Sequence, residues 1–285
     1  MCHLNLLFRK KMNVKVTPFV MAVSSASFLS QNDGEGIYYN SNHTVHKNKN
    51  KMNLFEFENE IEDSNVILSH QRTSTSGFDI KYNHPFANED FVMVHNGIIN
   101  KFKGNEGSDT YGFWLKFNEE FNKITRHISR EDKVKKVISR LFQKDEGSYS
   151  ILIYDKKTKQ SFYFKGEGYP SIYFYSSDEY LFISTTSQNE IFLPMLTNKK
   201  FHTLEIKGRI LYKINDKFLV YKILELPKTK YEYVTNYNNV STYSKSKNKC
   251  DVCQADIIGD VFKLRDKEVC FDCAEYERTY CEDEE

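Results

Sequence analysis

Cys2 follows Met1 and opens the apolar run 2–8. If Met1 is removed, one residue carries both a thiol and a free α-amine, a nucleophile with its own base. The reference pKa values are about 7.7–8.0 for the amine and about 8.5 for the thiol, so a modest environmental push lets the amine take the thiol proton. The plain alternative is an incidental cysteine. Chemistry at Cys2 needs a carboxylate clamp, an oxyanion hole and a partner for an ammonium, and three stretches have the right residue types. Arg72, within His70-Gln71-Arg72-Thr73-Ser74-Thr75-Ser76-Gly77, can grip a carboxylate through two parallel bonds, or be a salt-bridged Arg in a surface loop. Asn96-Gly97, between Val94-His95 and Ile98-Ile99, can aim a side-chain amide and a backbone N–H at one oxygen. The same dipeptide between apolar runs is also the standard signal of a type I′ hairpin turn. Asp109 follows Ser108, a good helix N-cap, and either binds an ammonium or only complements the helix dipole.

The elements that must position these residues alternate between strand and helix patterns. Residues 2–8 read as a strand. Pro18 suits the first turn of a helix whose apolar positions 19, 22, 23, 26 and 29 share a face. Asn32-Asp33-Gly34-Glu35-Gly36 reads as a turn, or as part of a site, before the strand 37–39. Residues 41–63 are polar and poorly patterned, with a short helix suggested by Leu54, Phe55, Phe57 and Ile61. The run 66–69 is a strand leading into a hydroxyl-rich loop, and 91–94 is another strand. Helices are expected after Ser108 and near 130–142, the second with Val134, Val137, Ile138 and Leu141 on one face. Short strands follow at 148–154, 161–164, 171–175, 181–184 and 201–206. Several short strands around a few helices make an α+β domain with helices covering packed sheets.

The other cysteines crowd the end of the chain. Cys250-x2-Cys253-x16-Cys270-x2-Cys273 has the spacing of a four-cysteine zinc site on two knuckles. Four thiolates close the coordination of Zn²⁺, so the expected role is structural, and Cys281 is a spare. Residues 228–249 are rich in Lys, Tyr, Asn and Ser and read as a linker. The division expected is 2–227, linker 228–249 and zinc module 250–285. From Cys250 onward twelve Asp and Glu face four Lys and Arg, which points this module toward proteins and away from nucleic acid. Across the chain 40 Lys and Arg balance 39 Asp and Glu, giving no global electrostatic case for nucleic acid or membrane. No apolar run approaches the roughly 18–20 residues that span a bilayer, and no secretion signal is visible, so a cytoplasmic protein is expected.

Taken in order, Cys2, His70-x-Arg72-x-x-Thr75-Ser76-Gly77, Asn83-His84-Pro85-Phe86, His95-Asn96-Gly97-Ile98-Ile99 and Ser108-Asp109-Thr110 resemble the class II glutamine amidotransferase domain, one of the N-terminal nucleophile hydrolases. Gly147-Ser148-Tyr149-Ser150 and Ser184-Thr185-Thr186-Ser187-Gln188 resemble later strand starts of the same family, and the resemblance covers about residues 2–215. It implies a four-layer αββα sandwich and glutamine as substrate. It also implies Cys2 as nucleophile, Asn96 and Gly97 as oxyanion donors, Arg72 as carboxylate clamp assisted by Thr75 and Ser76, and Asp109 as ammonium partner. No cofactor is implied for this chemistry. Ser30-Gln31 stand where many relatives carry Arg-Gly. With no synthetase or transferase segment in the sequence, ammonia would pass to a separate acceptor enzyme. The alternatives are a stand-alone hydrolase of a γ-glutamyl amide and a non-catalytic, zinc-containing interaction protein.

Overall fold

The computed structural model describes residues 2–28, 33–73, 79–102, 107–125, 127–144, 147–167, 172–186, 189–204, 206–227, 262–264 and 267–269. Ser30-Gln31, Thr75, Ser76, the linker 228–249 and all four zinc-spaced cysteines lie outside them. The chain divides into two units, Met1–Thr229 and Lys230–Glu285.

In the first unit the elements run β1 (His3–Arg9), α1 (Thr17–Phe28), β2 (Gly34–Tyr39), β3 (Thr44–Asn48), α2 (Glu58–Ile61), β4 (Val66–Arg72), β5 (Phe86–Ala87), β6 (Phe91–Ile99), α3 (Asp109–Lys123), α4 (Arg130–Leu141), β7 (Gly147–Asp155), β8 (Gln160–Lys165), β9 (Tyr173–Ser176), β10 (Tyr180–Ser184), α5 (Asn189–Thr197), β11 (His202–Leu204), β12 (Ile210–Ile214) and β13 (Val220–Glu225). The strands form two antiparallel sheets, ordered β11-β9-β10-β1-β4-β2-β3 and β13-β12-β8-β7-β6-β5. In the second unit β14 (Phe262–Leu264) and β15 (Lys267–Val269) pair antiparallel.

Alternation along the strands builds the layers, because successive side chains leave a strand on opposite faces. Leu4, Leu6 and Phe8 of β1, Val66 and Leu68 of β4, Val92 and Val94 of β6, and Leu152 and Tyr154 of β7 meet in one buried cluster between the sheets. The intervening residues face outward. Leu7 and Ile67 pack with Phe19, Val20 and Val23 of α1, while Phe91, Met93, Ile151 and Ile153 pack with Phe113 and Phe117 of α3 and Val134, Val137 and Ile138 of α4. Three clusters on four layers give helix, sheet, sheet, helix. A fully buried Leu or Phe in such a cluster contributes about 1.5–3 kcal/mol.

Local chemistry agrees with the helix starts. The Ser129 hydroxyl accepts from the Asp132 N–H at 3.0 Å and caps α4. Ser108 stands at the N-cap of α3 but its side chain makes no capping bond; the carboxylate of Asp109 accepts the Thr110 N–H at 2.8 Å instead. The expected short helix near 54–61 is a 3-10 turn, Leu54–Phe57, running into α2.

Several elements differ from the sequence reading. β3 lies inside the stretch read as unpatterned; it is an edge strand of the first sheet, half-buried along most of its length, so no alternation marks it. β4 continues through Arg72, so His70 and Arg72 belong to a central strand and not to a surface loop. Asn96-Gly97 is not a hairpin turn. Both residues sit inside β6 and pair with Ser150 and Tyr149 of β7 in an unbroken nine-residue register. Among the described residues no helix is long and apolar enough to cross a membrane.

Candidate active site

The same alternation carries the candidate residues to one end of the sandwich. Cys2 precedes β1 in step with Leu4, Leu6 and Phe8, Arg72 ends β4 in step with Val66 and Leu68, and Asn96 follows Val92 and Val94 on β6. Each therefore continues the face that meets the other sheet. A pocket there is lined by Cys2, Arg72, Gly97 and Asp109 together, with Thr73 and Thr110 beside them.

Cys2 is partly buried and is the free cysteine of the described residues. Its Sγ accepts the Thr73 N–H at 3.3 Å, and the thiol donates to Thr73 O at 3.4 Å. Burial pushes the thiol pKa up, while the Thr73 N–H and the Arg72 charge pull it down. At neutral pH the sulfur is held as a thiol that needs a base before it can attack.

Asn96 is 3% exposed, and its Nδ2 has no hydrogen-bond partner among the described residues. A buried donor left free costs about 1–3 kcal/mol, and a site that must receive an oxyanion is a physical reason to retain one. Gly97 has φ +111°, and a Cβ there would lie 2.0 Å from Ser148 O and 2.8 Å from Tyr149 Cα. Backbone, not a movable side chain, blocks any larger residue. Gly97→Ala is therefore expected to lower stability by about 2 kcal/mol or more, read as a fall in the denaturation midpoint.

Arg72 is 6% exposed, and its Nη1 donates to Asn83 Oδ1 at 3.1 Å. Asn83 is held in turn, its Nδ2 donating to Asn48 O at 2.7 Å. The Asp33-Gly34-Glu35-Gly36 stretch now has a role, since a Cβ on Gly34 would lie 2.1 Å from Asn83 Nδ2 and one on Gly36 would lie 2.0 Å from His84 O. These glycines open β2 and seat the segment that orients the guanidinium. Across the pocket, the Asp109 carboxylate accepts the Ile99 N–H at 2.7 Å through Oδ2 and the Thr110 N–H through Oδ1. A cation and an anion thus stand at a pocket that also holds a thiol. That arrangement suits an α-amino acid, whose carboxylate and ammonium need opposite partners.

Three residues named in the motifs but given no role also line the pocket. His70, His84 and His95 are 1%, 4% and 2% exposed. The His70 and His84 rings are 4.0 Å apart by centroid, and His84 and His95 6.2 Å. Burial pushes all three imidazoles down, so they are neutral at pH 7. Their nearness to Arg72, Asn83 and Asn96 in the chain was the available signal. Thr75 and Ser76 lie outside the described residues, as do Cys250, Cys253, Cys270 and Cys273. Among the described residues no cluster of His, Cys, Asp or Glu could hold a metal ion.

Comparison with solved structures places this architecture. The chain is similar to glutamine phosphoribosylpyrophosphate amidotransferase from B. subtilis, complexed with ADP and GMP, at TM-score 0.56 and 15% identity, over 78% of this chain and 49% of that one. The shared feature is the fold, two antiparallel sheets flanked by helices. A structure described as the allosteric regulatory enzyme of purine biosynthesis matches equally, at TM-score 0.56 and 15% identity over 78% of this chain and 48% of the other. This chain thus spans about half the length of these two proteins. No protein-family model and no curated protein matches the sequence.

Proposed function

We propose that the first unit is a glutaminase that releases ammonia from the side-chain amide of glutamine and supplies it to a separate acceptor synthetase or transferase. The observation that carries this reading is one pocket lined by Cys2, Arg72, Gly97 and Asp109, with Asn96, the residue before Gly97 on β6, holding a buried amide donor that has no partner among the described residues. With Met1 removed, the Cys2 α-amine takes the thiol proton and Sγ adds to the amide carbon of glutamine. The carbonyl oxygen becomes an oxyanion held by Asn96 Nδ2 and the Gly97 N–H. The α-ammonium then returns the proton to the leaving nitrogen, ammonia departs, and a thioester remains. Water attacks the thioester, releasing glutamate and restoring the thiol. Arg72 holds the substrate α-carboxylate and Asp109 its α-ammonium, with Thr75 and Ser76 assisting the clamp. These two charges read the α-amino acid end of the substrate, which free glutamine and a γ-glutamyl amide share. A non-catalytic scaffold would have no use for the unpaired Asn96 donor. Ammonia release from glutamine by the purified, processed protein tests the reading; no turnover with the N-terminal Cys2 exposed, even beside candidate acceptors, would refute it.

For the second unit we propose a structural zinc site formed by Cys250, Cys253, Cys270 and Cys273. The pairing of Phe262 with Val269 between the two Cys-x2-Cys pairs supports the knuckle reading. Zinc there would hold the fold together and leave no open coordination position. Metal analysis of the full chain is expected to find one zinc, lost in Cys250→Ser and in Cys270→Ser; a metal-free wild type would exclude the site.

A further inference from the structure

We infer that His95 and Thr110 form a positioning pair that aims the Asp109 carboxylate at the ammonium of the substrate. The inference rests on the glutaminase reading and adds two residues to it. The first turn of α3 is stitched to β6 on both sides of the Asn96-Gly97 step. On one side His95 Nδ1 lies 2.7 Å from Thr110 Oγ1, both residues being buried. On the other the Ile99 N–H donates to Asp109 Oδ2 at 2.7 Å. Between them the Thr110 hydroxyl reaches Asp109 Oδ1 at 3.3 Å.

A hydroxyl has one hydrogen to give, and an ionised carboxylate attracts it more strongly than a neutral imidazole does. The direction that follows is His95 Nδ1–H to Thr110 Oγ1, and Thr110 O–H to Asp109 Oδ1. Among the described residues His95 Nε2 has no partner, so no competing bond there favours the other tautomer. Asp109 Oδ1 is thereby tied twice to Thr110, through its N–H and its hydroxyl, and Oδ2 once to β6, which leaves a lone pair of Oδ2 available to the pocket. The ammonium anchor and the oxyanion strand belong to one hydrogen-bonded unit. Neither His95 nor Thr110 needs to touch the reacting amide to serve it.

The ammonium contact exists before and during the reaction, so loosening Asp109 should weaken binding while leaving the chemical step intact. Thr110→Val keeps the shape and removes the hydroxyl. It is expected to raise KM for glutamine about tenfold with kcat changed about twofold or less. Alkylation of Cys2 by iodoacetamide, which carries no ammonium, should keep its wild-type rate. Thr110→Ser restores the hydroxyl and should return KM to about the wild-type value. Should Thr110→Val not fold, Thr110→Ala is read in the same way. A wild-type KM in the Val or Ala variant overturns the inference, as does a parallel loss of kcat and alkylation that Ser does not rescue, which marks a packing role. Asp109→Asn measured alongside separates the two levels. An unchanged KM there removes Asp109 from substrate binding and takes the underlying assignment with it; a raised KM there, with Thr110→Val unchanged, overturns the positioning pair alone.

Discussion

Cys2→Ala is expected to reduce ammonia release from glutamine by about 10⁴- to 10⁶-fold, the range typical when a nucleophile is removed from a site that acts as a unit. The variant should still fold, because among the described residues Sγ engages the backbone of Thr73 alone and β1 keeps its pairing with β4 and β10. A preparation that retains Met1 should be as inactive as Cys2→Ala, since its Cys2 nitrogen is an amide and cannot accept a proton. Mass spectrometry of the N-terminus beside the ammonia assay checks both. Turnover by the Met1-retaining form would exclude the amine as base. The pH dependence follows from the same groups. Burial holds the thiol above its ordinary pKa, and the amine accepts a proton only when neutral, with a reference value of about 7.7–8.0. Both requirements are met increasingly as pH rises, so kcat/KM should climb from pH 6 toward about pH 8. A rate that falls over that interval would contradict the assignment.

The second large effect is expected at Asn96. On the proposed glutaminase reading its Nδ2 meets the oxyanion only in the transition state, so Asn96→Ala should lower kcat by about 10²- to 10³-fold with little change in KM. Stability should move the other way from most buried substitutions. Removing a buried donor that has no partner relieves a desolvation cost of about 1–3 kcal/mol, against the loss of a few contacts, so the denaturation midpoint should hold or rise. An Asn96→Ala protein with wild-type kcat would remove this residue from the oxyanion site. One that is strongly destabilised would mean the amide has a structural partner.

The sequence by itself determined the strands and helices whose pattern is periodic and buried. Leu4, Leu6 and Phe8, or Val134, Val137, Ile138 and Leu141, announce their element because burial on one face dictates apolar spacing. It also marked Cys2, Arg72, Asn96, Gly97 and Asp109 as chemically able. What it left open was how those residues are held, because local preferences there favour more than one outcome. Asn-Gly is as good in a hairpin turn as in a strand with a positive-φ glycine; nine consecutive pairings with β7 decided for the strand. His70 and Arg72 look like loop residues because they are polar, and only the neighbouring strands β1 and β2 supply the backbone partners that keep them in β4. β3, an edge strand without alternation, and the hairpin of β12 and β13 owe their form to the sheets they join. The bonds that link Asp109 to Ile99 and Thr110 to His95 join residues from two different elements, and no spacing along the chain encodes such a contact. Residue type, then, was local information. The convergence of Cys2, Arg72, Asn96 and Asp109 on one end of the sandwich was decided by strand register, which exists only once the two sheets have formed.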